Sequence, residues 1–422
     1  MRGAAYGRGK PDPKGRHADT RRLPAHRQDP TMSLSTLPPL AHYFTSEHEQ
    51  FRSTLRDFVA REISPYANEW DEAGTFPRSL YRRAAEIGLL GLGYPERFGG
   101  TPGDIFYHLI QAEEFARSGS GGVNASLHSH SIGVPPIVAA GSEALQERVL
   151  PAVIAGDRIA ALAITEPGGG SDVASLRTTA VRDGDHYIVN GEKTFITSGM
   201  RADFITTAVR TDPANKGAGG ISLLLIEGNP PGLTRTGLKK MGWLASDTAH
   251  LHFDNCRIPA ANLIGEENRG FQVIMRNFNA ERLGMSASAY GYAEACLQEA
   301  LDWARQRNTF GRPLVERQVI RHKLVDMALR IEAARNLVYD LAYRVQHQAG
   351  DPAQLVARTC MAKIQATQAM QFCADQAVQI LGGMGFMRGT LSERVYREVK
   401  VMMIGGGSEE IMKDLAARQL GF

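Results

Sequence analysis

The chain has 422 residues, of which 43% are hydrophobic and 22% charged. It is too long for one compact core and ordinary in composition for a soluble enzyme of two or three domains. No apolar run approaches the roughly 20 residues of a membrane helix, so no membrane span is expected. The net charge of +3 sits at one end: residues 1–31 carry Arg2, Arg8, Lys10, Lys14, Arg16, Arg21, Arg22 and Arg27 against Asp12, Asp19 and Asp29, which leaves −2 for the rest and no reason to expect a nucleic-acid partner.

The first segment, residues 1–40, is rich in Pro, Gly and Arg with little to bury, and reads as a disordered basic tail. It lacks the apolar region of a secretory signal, and its three Asp residues and few Ser argue against a mitochondrial transit peptide. Met32 is an alternative start, and a cytoplasmic, bacterial-type location is expected over the mitochondrial matrix. Residues 41–157 read as a helical domain. Ser46-Glu47-His48-Glu49 resembles a capping box ahead of Phe51, Leu55, Phe58, Val59 and Ile63 at helical spacing. Asp104 is placed to cap a helix through Phe115, and the runs 122–140 and 142–154 predict two more.

The character changes over residues 158–267, where short β-branched runs alternate with turn signals. Ile159 to Ile164 predicts a buried strand. Thr178–Val181, Tyr187–Val189 and Thr194–Thr197, separated by Asp183-Gly184-Asp185 and Asn190-Gly191, predict an antiparallel meander with two hairpin turns. Runs 204–209, 221–226 and 249–253 extend it into a barrel or sandwich. Residues 268–422 turn helical again, with long helices from about Arg269 to Arg307, Val315 to Gln348 and Pro352 to Leu381. Shorter helices before Met403 and after Ser408 complete a four-helix bundle. The fold class is α+β: a helical domain, an antiparallel β-domain and a helical bundle. Cys256, Cys296, Cys360 and Cys373 show no metal or disulfide spacing and read as buried thiols. No metal site is expected.

Five motifs carry the chemistry. Thr165-Glu166-Pro167-Gly168-Gly169-Gly170-Ser171-Asp172 follows the first strand, and its glycines let backbone approach a ligand. Lys193–Gly199 brings a second hydroxyl pair, so the two pieces would make a polar-edged slot for a flat cofactor. The others are Arg307-Asn308-Thr309-Phe310-Gly311, Gln379–Phe386 and Gly405-Gly406-Gly407-Ser408-Glu409-Glu410. In this order and layout they resemble the acyl-CoA dehydrogenase family over residues 43–420.

The resemblance implies FAD bound between the β-domain and the bundle of a homotetramer, an acyl-CoA substrate, and electron-transfer flavoprotein as acceptor. It places Ile164, Thr165 and Thr197 against the isoalloxazine ring. Phe195 packs on that ring where many members carry Trp. Gly170 and Ser171 fall near the pyrophosphate, or in the case of Ser171 the substrate pantetheine. Arg307, Phe310, Gln379 and Gly383 contact the FAD of a neighbouring subunit. Ser408, where relatives have Thr, and Glu410 complete the cofactor set.

Many members carry the catalytic base in a Tyr-Glu-Gly-Thr segment, which here reads Gly405-Gly406-Gly407-Ser408. The Glu position is Gly406, whose main-chain amide is implied to hold the thioester carbonyl. The long-chain and isovaleryl types place the base in a Glu-Arg-Leu sequence on the first bundle helix, and Glu281-Arg282-Leu283 stands there. Glu281 is therefore expected to take the α-proton while the β-hydrogen leaves as hydride to the flavin. Arg282 orients Glu281, steadies the CoA side, or pairs with a helix neighbour. Gly405 and Gly406 leave room expected to suit a long or branched chain. His128 is placed on a helix lining the acyl pocket, with a structural histidine as the plain alternative. Alternative readings are a flavin oxidase or monooxygenase of the same fold, such as acyl-CoA oxidase or nitroalkane oxidase, and a non-catalytic assembly scaffold. Nitro-specific relatives use an Asp base, and none stands at 281.

Overall fold

The structure is a computed structural model that describes residues 42–215 and 217–422; the expected tail lies outside these residues. Eight helices come first: α1 (Ser46–Glu62), α2 (Ala67–Ala73), α3 (Ser79–Glu86), α4 (Ile105–Ala116), α5 (Gly121–Leu127), α6 (His130–Gly133), α7 (Pro135–Ala140) and α8 (Glu143–Ile154). The cap of α1 is one residue earlier than expected. Thr45 is the N-cap, and the reciprocal partner is His48, whose Nδ1 accepts from the Thr45 amide at 3.0 Å. Asp104 caps α4 as predicted, accepting from the amides of Phe106 and Tyr107. The single helix expected over 122–140 is three short ones, with Pro135 opening the last.

Strands β1 (Ala160–Ala163), β2 (Thr179–Asp183), β3 (His186–Thr197), β4 (Phe204–Arg210), β5 (Ile221–Glu227), β6 (Leu233–Gly237), β7 (Thr248–Pro259) and β8 (Leu263–Ile264) form one sheet of order β6-β7-β3-β2-β4-β5-β8, with β1 on β4. It is mixed and not a pure antiparallel meander, because β4 pairs in parallel with both β1 and β2. Asp183 pairs with His186 across a tight turn, as predicted. Asn190-Gly191 is not a turn. It lies inside β3 as a bulge, with Gly191 at φ 137° because a Cβ there would come within 2.7 Å of Thr178 Cα. Along β5, Leu224 and Ile226 face one core while Ile221, Leu223 and Leu225 face the other. Both faces are covered, which is why this strand reads as an unbroken apolar run.

The bundle holds α9 (Gly270–Gln306), α10 (Gln318–Gln346), α11 (Pro352–Leu381), α12 (Gly383–Phe386), α13 (Leu391–Ile404) and α14 (Glu409–Leu420). A small hairpin of β9 (Asn308–Thr309) and β10 (Arg312–Pro313) follows α9. Helix α11 packs against α9, α10, α13 and α14. Alanines such as Ala287, Ala293, Ala366 and Ala369 are fully buried and let the helices approach closely. Helix α9 bridges the two cores, with Ile274 in one and Leu283 in the other, so Glu281 falls near their boundary.

Candidate active site

The loop after β1 is tied to β3 by a buried ion pair. Lys193 is fully buried, and its Nζ donates to the Ile164 carbonyl at 3.0 Å and to Glu166 Oε1 at 2.8 Å. The other carboxylate contacts come from the amides of Arg177 and Thr178 at 2.6 and 2.8 Å. Burial works to raise the Glu166 carboxyl, but Lys193 and these donors outweigh it and hold it below the usual range. Burial in turn pushes Lys193 down to about 8. Glu166 is thus a strut of the loop. The Thr194 amide also donates to the Thr165 carbonyl at 2.8 Å, so the two motifs meet as expected.

This junction suits a flat cofactor. Phe195 sits at φ 61° within a second bulge of β3 and is 69% exposed, an aromatic face with no ring or cation partner among the described residues. Cβ atoms at Gly168 and Gly169 would meet nothing within 4 Å. Ile164 is buried beneath, Thr165 and Thr197 are half-buried, and among the described residues neither hydroxyl has a hydrogen-bond partner. Gly170 packs near Thr165, and Ser171 is exposed at the rim. Bare donors beside an unstacked aromatic fit a polar-edged ring system.

The candidate base lies on α9. Burial pushes the Glu281 carboxyl up to about 7, against the opposing pull of Arg282 and Lys363. A carboxyl held near neutral pH is matched to taking a proton. Two other carboxylates, Glu409 and Glu410, follow the glycine loop, and neither is desolvated in this way. Glu409 accepts from Lys413 at 2.6 Å and Gln368 at 2.9 Å and is held below the usual range by Lys413. Glu410 is exposed in the first turn of α14.

Arg282 does not pair with Glu281. Its Nε donates to the Gly406 carbonyl at 3.0 Å and its Nη1 to Asn279 Oδ1 at 3.2 Å. This bond brings the glycine loop against α9. Gly406 has φ 68°, and a Cβ there would come within 2.7 Å of Met285 Sδ. The room expected from Gly406 is therefore taken by Met285. Open space lies instead beside Gly284, in the same turn as Glu281, where a Cβ would meet nothing.

The remaining expected residues are not all in one place. From Glu281 to Arg307 is about 39 Å along a helix at about 1.5 Å per residue, so Arg307 and Phe310 cannot reach Glu281 in their own chain. Phe310 tips the β9–β10 hairpin at φ 48° and is 99% exposed. Gln379 and Gly383 are exposed at the end of α11, and a Cβ on Gly383 would meet nothing. Ser408 caps α14, accepting from the Ile411 amide at 3.5 Å. His128 is half-buried with Nδ1 against Asn124 Oδ1 at 2.7 Å, and burial and His130 push it down to about 3, so it is a neutral ring. No cluster of metal-ligating side chains is found among the described residues.

Sequence reasoning assigned no role to Lys193, although it opens the second motif, nor to Lys363 or Met285. A lone lysine amid apolar helix positions (Ala357, Cys360, Ala362, Ala366) was a usable signal for Lys363. Met285 could only be found from the space it fills.

Comparison with known proteins agrees in all three domains. The acyl-CoA dehydrogenase N-terminal, middle and C-terminal domains match residues 45–157, 161–256 and 268–421. An acyl-CoA dehydrogenase of Bacillus subtilis is 40% identical over 90% of this chain and 99% of its own. A long-chain specific mitochondrial acyl-CoA dehydrogenase of Rattus norvegicus is 37% identical over 94% of this chain and 91% of its own. The crystal structure of a probable acyl-CoA dehydrogenase from Mycobacterium abscessus superposes with a TM-score of 0.87 at 48% identity, covering 90% of this chain and 100% of that one. The chain belongs to the acyl-CoA dehydrogenase family of FAD-binding flavoprotein oxidoreductases.

Proposed function

We propose that the protein removes the α-proton and β-hydride of a long or branched acyl-CoA thioester, yielding the trans-2-enoyl-CoA, with Glu281 as base. The observation that carries this is the junction of α9 with the glycine loop: a carboxyl raised to about 7 beside a loop held by Arg282 at 3.0 Å. FAD, when bound, supplies the acceptor for the hydride. Ile164, Thr165, Phe195 and Thr197 would hold its ring, Gly170 and Ser171 its outer part, and Ser408 and Glu410 flank the site. Arg307 and Phe310 lie past the far end of α9, too far to serve Glu281 of their own chain, which supports their serving, with the exposed Gln379 and Gly383, the site of another subunit, and we take the assembly to be a homotetramer. Electron-transfer flavoprotein would receive the electrons.

In this scheme Glu281 must be ionised to accept the proton, and the acyl chain displacing water from its side raises its affinity for that proton further. The Gly406 N–H donates to the thioester carbonyl and stabilises charge developing on its oxygen. The main chain does this work, so a glycine suffices. Gly284 leaves a path along the helix for the acyl chain, and Met285, an adaptable thioether, forms its wall. The test is anaerobic mixing of the FAD-loaded protein with acyl-CoAs of graded length and branching. Bleaching of the flavin by long or branched chains is expected. Bleaching by none would sink the dehydrogenase reading, and preference for short straight chains would sink the substrate class.

A further inference from the structure

Gly405–Gly407 joins α13 to α14, and three consecutive glycines have wide backbone freedom. Gly406 and Gly407 stand at φ 68° and 111°. Yet the peptide planes on either side of the 405–406 plane are held. The Gly405 amide donates to the Val401 carbonyl at 2.7 Å. The Gly406 carbonyl accepts from Arg282, and the Gly407 carbonyl accepts from Lys363 Nζ at 2.6 Å. The same ammonium donates to the Met403 carbonyl at 3.0 Å, so it clasps the end of α13 and the loop together. Lys363 is 1% exposed, and desolvating an ammonium is costly unless its donors are used. Between these anchors the Gly406 N–H has no acceptor among the described residues. It is a free donor whose neighbours on both sides are fixed.

We propose that Lys363 is a positioning residue that, with Arg282, fixes the direction of the Gly406 N–H toward the substrate carbonyl, an inference that rests on the dehydrogenase reading above. Without this clasp the glycine loop would sample many orientations of that amide, and the stabilisation of the transition state would be spread over few productive ones.

The test uses the full FAD-loaded chain with Lys363→Met, which keeps the apolar stem and removes the donors. Flavin content is measured, then the pH profile of anaerobic bleaching by the acyl-CoA that the wild type uses best. Removing a donor of this kind costs about 100- to 1000-fold in kcat, so misdirecting it should lower the flavin-normalised alkaline plateau by about 10- to 100-fold, with KM changed far less. A plateau within about twofold of wild type overturns the proposal, whether the acid limb alone has moved or only the melting temperature has fallen. Should the variant not retain FAD, Arg282→Gln, which frees the Gly406 carbonyl and Asn279 while leaving the Lys363 clasp in place, carries the same expectation and the same refutation. A wild type bleached by no acyl-CoA would overturn the parent reading and this one together, and is told apart from a loss confined to the variants.

Discussion

Replacing Glu281 with Gln should stabilise the folded protein at alkaline pH and do progressively less as pH falls. The folded-state value of about 7 lies above the ordinary 4.5. The folded state therefore binds the proton more tightly than the unfolded chain, and stability is lost as pH rises from about 4.5 to about 7. At about 1.36 kcal/mol per unit the full cost of the ionised Glu281 approaches about 3 kcal/mol, and the surface it still exposes discounts this to about 1–3 kcal/mol. Gln resembles the neutral acid and escapes the cost. The assay is urea or thermal unfolding of both proteins at pH 5 and pH 8.5, with FAD fixed in excess because ligand binding shifts apparent stability. The gap in favour of Gln should widen by about 1–2 kcal/mol between the two pH values. A gap that is flat with pH, or a variant less stable at pH 8.5, would refute the claim that Glu281 is held in a desolvated site.

The wild-type bleaching rate should rise with pH through an acid limb at or above about 7, where burial places the Glu281 carboxyl before the acyl chain raises it further, read by stopped flow; a limb near 4.5 would mean a solvated carboxylate. Lys193→Met strands the buried Glu166 carboxylate, a loss of the kind that costs about 3–5 kcal/mol, so melting temperature and FAD retention should both fall; unchanged FAD retention would remove Lys193 from the cofactor loop. Moving the base, Glu281→Gln with Gly406→Glu, should not restore bleaching, because position 406 stands at φ 68°, which strains any side chain, and Met285 Sδ lies 2.7 Å from the new Cβ; adding Met285→Ala relieves only the second and should recover part of it at most, and full recovery without that third change would refute the argument.

The layout of helices, sheet and bundle was legible because period and punctuation agree along most of the chain. The three long helices lack internal proline, and their ends were found to within a few residues. What misled was local. Asn190-Gly191 carries the signature of a hairpin turn, but Thr178 across the strand demands a bulge there, a contact only the folded sheet supplies. The parallel pairing of β1 with β4 depends on strands far apart in sequence. At the site, Glu281 stood out as a carboxylate in an apolar helix. The partner of Arg282 did not, because the Gly406 carbonyl is main chain and 124 residues away. The room assigned to Gly406 was misjudged for the same reason, since side-chain deletion at one position says nothing about Met285 moving in from another.

The most direct test of the central claim is anaerobic mixing of wild-type and Glu281→Gln protein, each loaded with FAD, with the acyl-CoA that bleaches the wild type best. The variant should keep its FAD and bind the acyl-CoA, shown by a perturbed flavin spectrum, while bleaching slows by a factor of at least about 1000, the scale expected when an essential base is removed. A variant that bleaches at the wild-type rate would show that another group takes the proton.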